Sequence, residues 1–131
     1  MSGIEDRPDH SGEICVAEVF GSGVHGGTAE IGMGVHRFRD PTLVEEFSPV
    51  PLALDVARFH TYGVDWRPGS VTFAVDGRVV RRLQQSPSYP MQLMLGVFDF
   101  PAKAPAGQVN APIPELIVSH VRGVPLARSR R

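Results

Sequence analysis

The sequence is short of several features that would by themselves name a function class. It holds a single cysteine, Cys15, among 131 residues, which excludes an internal disulfide and any metal site built from several cysteines. The formal net charge is only -1, so no summed field holds the chain on nucleic acid or an anionic membrane, and neither is expected as a partner. The opening "MSGIEDRPDHSGE" has no basic stretch followed by an apolar run. No secretory signal is expected from it, and no window is apolar for long enough to predict a membrane-spanning helix. The compartment stays open. The histidines include no His-x-x-x-His pair, and no glycine-rich phosphate loop follows a strand and opens a helix, so neither a metal nor a cofactor is expected. There is no internal repeat and no helix beyond a turn or two at 52–58, and the terminal "ARSRR" reads as a solvated end.

What is present is punctuation. Fourteen glycines and twelve prolines separate short apolar segments rich in valine and phenylalanine, the pattern of an all-β chain. Strands are expected at 13–20, 28–38, 59–66, 70–76, 78–83, 91–98 and 115–122, joined by loops such as "RDPTLVEEFSPVPLALD" and "PAKAPAGQVNAPIP". The clearest hairpin is "VTFAVDGRVVRRL", where Asp76-Gly77 can take the positive φ angles of a tight turn. Along 28–38, Ala29, Ile31, Met33 and Val35 face one way. Glu30, Gly32, Gly34, His36 and Phe38 face the other. Two glycines at alternate positions clear a track, with His36 at its end, for a neighbouring strand or a ligand to approach.

The segment "SGEICVAEVFGSG" sets Glu13 and Glu18 on an apolar strand with Cys15 between them. Under strict alternation Glu18 faces away from Glu13 and Cys15. One extra residue, a β-bulge around Val16 and Ala17, would bring it back. Buried carboxylates among Ile14, Val16, Ala17, Val19 and Phe20 are costly unless paired or used. A retaining glycosidase needs two carboxyl groups about 5–5.5 Å apart, which this pair meets only on a bulged and curved strand.

These residues resemble the catalytic strand of glycoside hydrolase family 16, the laminarinase and lichenase-like β-glucanases, whose motif is Glu-Ile-Asp-aliphatic-x-Glu; here it reads "EICVAE". The likeness continues in order through "GMGVHRF", "FHTYGVDWRPGSVTFAVDGRVVRR", "YPMQLMLGV" and "PELIVSHVRGV", covering residues 12 to 124. It implies a single antiparallel β-sandwich, jelly-roll-like and concanavalin A-like, with a tail at 125–131. It also implies a β-glucan polysaccharide as partner, Glu13 as nucleophile, Glu18 as general acid/base and His36 near that acid/base. Two departures accompany it. The family's central aspartate is Cys15, a weaker hydrogen-bonding group. The likeness is also confined to the family's C-terminal half, which implies an N-terminally truncated sandwich with exposed edges open to self-association.

Other residues allow two readings each. Trp66, Tyr62 and Phe98 can stack on sugars, but His60, Tyr62, Val64 and Trp66 share a face that reads as core. Asp99 can line a cleft or cap the turn before Pro101. "GSGVHGG" reads as a rim loop. A non-catalytic or vestigial carbohydrate-binding module stays open as an alternative function, as does acyl transfer with Cys15 as nucleophile and His36 as base.

Overall fold

The computed structural model describes residues 1–4, 6–100 and 113–126. The chain forms two compact units, Met1–Leu93 and Met94–Arg131. In the first, a 3-10 turn at Pro8–His10 precedes six strands: β1 (Glu13–His25), β2 (Thr28–His36), β3 (Glu46–Leu52), β4 (Tyr62–Arg67), β5 (Ser70–Val75) and β6 (Arg78–Leu83). They make two antiparallel three-stranded sheets, ordered β1-β2-β3 and β4-β5-β6. The architecture is all-β, of the jelly-roll sandwich type.

The alternation written into β2 builds the core. Ile31, Met33 and Val35 are fully buried, and with Ile14 they meet Val71, Phe73 and Val75 of β5 and Leu83 of β6. Each such side chain contributes about 1.5–3 kcal/mol by leaving water. At the β5–β6 hairpin, Asp76 and Gly77 take φ of 49° and 78°, the positive pair that a two-residue turn requires. Asp76 also accepts the Thr61 backbone N–H at 2.9 Å and lies 2.8 Å from His60 Nδ1, tying the turn to the chain entering β4. Arg81 of β6 donates to the carbonyls of Met33 at 2.9 Å and of Glu46 at 3.2 Å, so one guanidinium clasps the second sheet to the first.

Several expected elements are corrected. The segment 39–55 is not loop throughout, because it contains β3. Its prolines, Pro49 and Pro51, have the same parity, and β3 is an edge strand, where a missing N–H can face outward without breaking a ladder. β1 runs on to His25, so most of the expected rim loop is strand and the turn is confined to Gly26 and Gly27. The segment 52–58 holds a turn, closed by Arg58 N–H to the Asp55 carbonyl at 2.9 Å.

The expected strands at 91–98 and 115–122 are absent. Gln92 forms one isolated bridge with Ser2, and no ladder continues from it among the described residues. The edge of β1 beside that bridge is occupied by the first residues of the chain. Ile14 N–H donates to the Met1 carbonyl at 2.8 Å, and Gly3 N–H to that of Gly12 at 2.9 Å. Apolar alternation prescribes a face, but a strand forms only where a partner offers hydrogen bonds. In the second unit the described residues are exposed and have no regular secondary structure. The Phe98 and Phe100 rings stack there at 6.3 Å. Residues 101–112 of the expected loop, and "ARSRR", lie outside the described residues.

Candidate active site

The face of β1 and β2 that points away from the core carries the carboxylates. Cys15 pairs with Gly34, whereas Glu18 pairs with Gly32, so three steps along β1 oppose two along β2. The extra residue is a β-bulge at Val16–Ala17, where the parity of the sequence required one. Its consequence is that Glu13, Cys15 and Glu18 share one face while Ile14 enters the core. Cys15 Sγ lies 4.0 Å from Glu18 Oε2 and 3.9 Å from the Gly32 carbonyl. Both are long contacts from a weak donor.

Burial pushes the Cys15 thiol up to about 12, and the charges of Glu18 and then Glu13 push it the same way. The thiol therefore stays protonated, which is unfavourable to a nucleophile. His36 does not serve it as a base. Its Nδ1 lies 2.6 Å from Glu45 Oε1, while Glu45 Oε2 accepts the Arg37 backbone N–H at 3.0 Å. Partial burial would raise the Glu45 carboxyl, but the Arg37 N–H and His36 outweigh it and hold the group below the usual carboxylate range.

The position of His36 differs from that implied by the resemblance. It is the cross-strand partner of Glu13, not of Glu18. It lies four residues along β2 from Gly32, the partner of Glu18, or about 13 Å at the rise of a strand. The imidazole also packs on Phe47, with ring centres 4.3 Å apart.

The track cleared by the glycines is used by the protein itself. A Cβ on Gly32 would come within 2.5 Å of Phe47 Cζ, and one on Gly34, whose φ is 149°, within 2.0 Å of the Glu46 carbonyl oxygen. Glycine is thus what lets β3 lie close and place its phenylalanine over β2. Beside Glu18 the same face continues into a shallow cavity of about 160 Å³ lined by Phe20, Glu30, Gly32, Phe47 and Pro49.

Trp66 and Tyr62 are not brought to this face. Trp66 packs against the core and donates its indole N–H to the Pro87 carbonyl at 2.9 Å; Tyr62 packs against the same core. Asp99 is exposed in the second unit, with no strand end to cap.

A supporting group went unnoticed in the sequence. Tyr89 is buried, donates its hydroxyl to Asp40 Oδ2 at 2.7 Å and accepts the Gly12 N–H at 2.8 Å. Gly12 immediately precedes Glu13, so this hydroxyl holds the backbone at the entrance of the carboxylate strand. Partners 77 and 49 residues apart leave no local pattern by which to find them.

Comparison with known proteins identifies the family. The family model of the glycosyl hydrolases family 16 matches residues 7–111. Crh-like protein 5 of Aspergillus fumigatus is 34% identical over 79 residues, a match that covers 54% of this chain and 20% of that protein. The chain thus spans about a fifth of the length of that relative. No solved structure matches. With the family's model covering most of the chain, including the bulged carboxylate strand, this protein belongs to the glycosyl hydrolases family 16.

Proposed function

We propose that this chain carries the catalytic strand of a retaining endo-β-glucan hydrolase acting on β-1,3- or β-1,3/1,4-glucan, with Glu13 as nucleophile and Glu18 as general acid/base. The observation that carries the reading is the bulge, which aligns both carboxylates on one face with Cys15 between them. Glu13 attacks the anomeric carbon and forms a glycosyl ester as the glycosidic bond breaks. The proton of Glu18 passes to the departing oxygen. Glu18 then takes a proton from water, whose oxygen displaces Glu13 and releases the sugar. His36, held by Glu45 and opposite Glu13, supports the nucleophile's end of the site.

One observation favours a second reading, a carbohydrate-binding module without turnover. The residue between the carboxylates is a protonated thiol 4.0 Å from Glu18, and it orients neither strongly. Reducing-end release from laminarin and mixed-linkage barley glucan separates the two. The chain is compared with Glu13→Gln and Glu18→Gln, each verified as folded by circular dichroism. Release abolished by both substitutions supports hydrolysis; no release from folded protein supports the binding module.

A further inference from the structure

Phe38 is an aromatic residue in a costly position. Its φ is 44°, and it is the single described residue besides Asp76 that is not glycine and has a positive φ. Asp76 sits in a hairpin turn and belongs to a residue type that tolerates this region; for a bulky aromatic side chain it is an outlier. Burial does not offset the strain, since Phe38 is 57% exposed. The ring lies beside the His36 imidazole, with centres 5.7 Å apart and planes tilted by 36°. A glycine or asparagine would make the same turn with less strain.

The location gives the exposed ring a use. His36 lies directly across from Glu13, and side chains of such cross-strand pairs start about 4.5–5.5 Å apart. Phe38 therefore flanks the Glu13 end of the carboxylate row, while Phe20, 49% exposed, and the shallow cavity flank the Glu18 end. Trp66 and Tyr62 do not take this role, because they pack on the core.

We propose that Phe38 is a substrate-binding platform, its ring held open by the strained turn to stack against the apolar C–H face of a pyranose in a β-glucan chain lying across Glu13. This rests on the glucan reading above but not on turnover. A flat, partly solvated aromatic beside carboxylates suits a sugar, which presents an apolar face and a rim of hydroxyls. Contact with the sugar would bury a ring that the free chain leaves 57% exposed.

The test uses the full chain with Glu13→Gln, so that no hydrolysis occurs, and measures laminarihexaose binding by calorimetry together with thermal melting. Phe38→Gly is expected to melt no lower than its parent, because the turn relaxes. It should bind at least tenfold more weakly, equivalent to about 1.4 kcal/mol. Phe38→Tyr should keep binding within about twofold. A purely structural ring would lower the melting temperature and leave the dissociation constant unchanged, and that result overturns the proposal. So does a parent that binds no laminarihexaose, or a Phe38→Gly variant that changes oligomeric state while binding sugar normally. Binding that depends on Phe38 in a chain that never hydrolyses glucan would retain this inference and refute the catalytic reading. Hydrolysis with binding indifferent to Phe38 would do the reverse.

Discussion

Replacing Tyr89 by phenylalanine removes one oxygen from the protein interior, and the structure says what that oxygen does. It donates to a fully buried carboxylate, Asp40, at 2.7 Å and accepts the buried Gly12 N–H at 2.8 Å. A hydrogen bond to a charged group contributes about 1.5–3 kcal/mol, and a buried donor left unpaired costs about 1–3 kcal/mol. Asp40 keeps the Thr42 N–H at 2.8 Å and the Thr42 hydroxyl at 2.7 Å, which softens the loss. Tyr89→Phe should therefore destabilise by roughly 3 kcal/mol, a large share of the 5–15 kcal/mol typical of a domain. For a unit of this size that lowers the melting temperature by roughly 12–24 °C.

The dependence on pH adds a second check. Burial by itself would raise the Asp40 carboxyl, but hydrogen bonds from the Thr42 hydroxyl, Tyr89 and the Thr42 N–H outweigh it and lower the group overall. A carboxyl lowered on folding stabilises the native state above its unfolded value, about 3.9, and loses that contribution as pH falls through the folded value. Urea unfolding followed by circular dichroism at pH 7 and pH 3 should show a larger gap between wild type and Tyr89→Phe at pH 7. A gap below about 1 kcal/mol at pH 7 with an unchanged m-value, or one equal at both pH values, would refute the reasoning.

Gly34→Ala should be among the most damaging single changes, because its Cβ would lie 2.0 Å from the Glu46 carbonyl oxygen at a φ of 149°. A loss above about 3 kcal/mol is expected by denaturant titration, and a near-neutral variant would contradict the close approach of β3. The Cys15 thiol, pushed up to about 12, should react with iodoacetamide at pH 8 about a thousandfold more slowly in the native chain than after unfolding; comparable rates would contradict its burial. Cys15→Asp should raise glucan hydrolysis if Glu13 and Glu18 are the catalytic pair, because a carboxylate orients its neighbours better than a thiol; reducing-end assays that show no gain count against the assignment. Trp66→Phe should cost about 1 kcal/mol through the lost bond to Pro87 and leave glucan binding unchanged, whereas weakened binding at preserved stability would return Trp66 to the sugar site.

Local chemistry was enough for several features. The period-two row Ala29, Ile31, Met33 and Val35 can bury its apolar side in only one way, so the core face of β2 follows from the residues alone. Asp76-Gly77 encodes its turn because few residue pairs tolerate two positive φ angles. The bulge at Val16–Ala17 followed from parity, since no flat strand puts Glu13 and Glu18 on one face. The family likeness was carried by the same short segments.

What only the tertiary structure decided concerns partners. Proline marks a loop by its own chemistry, yet β3 is a strand because its outer edge asks nothing of Pro49 and Pro51. The apolar runs at 91–98 and 115–122 encode a face but not a neighbour to bond with, and they are not strands. His36 stands beside Glu13 because of β1–β2 register, and Trp66 turns to the core because Pro87 offers it a carbonyl there. Tyr89, Asp40 and Gly12 meet across long stretches of chain, and the strain at Phe38 exists only as a backbone angle. Periodicity and turn chemistry act over a few residues and are written in the sequence; register, edges and buried polar pairs depend on which distant segment arrives alongside, and only the folded chain determines that.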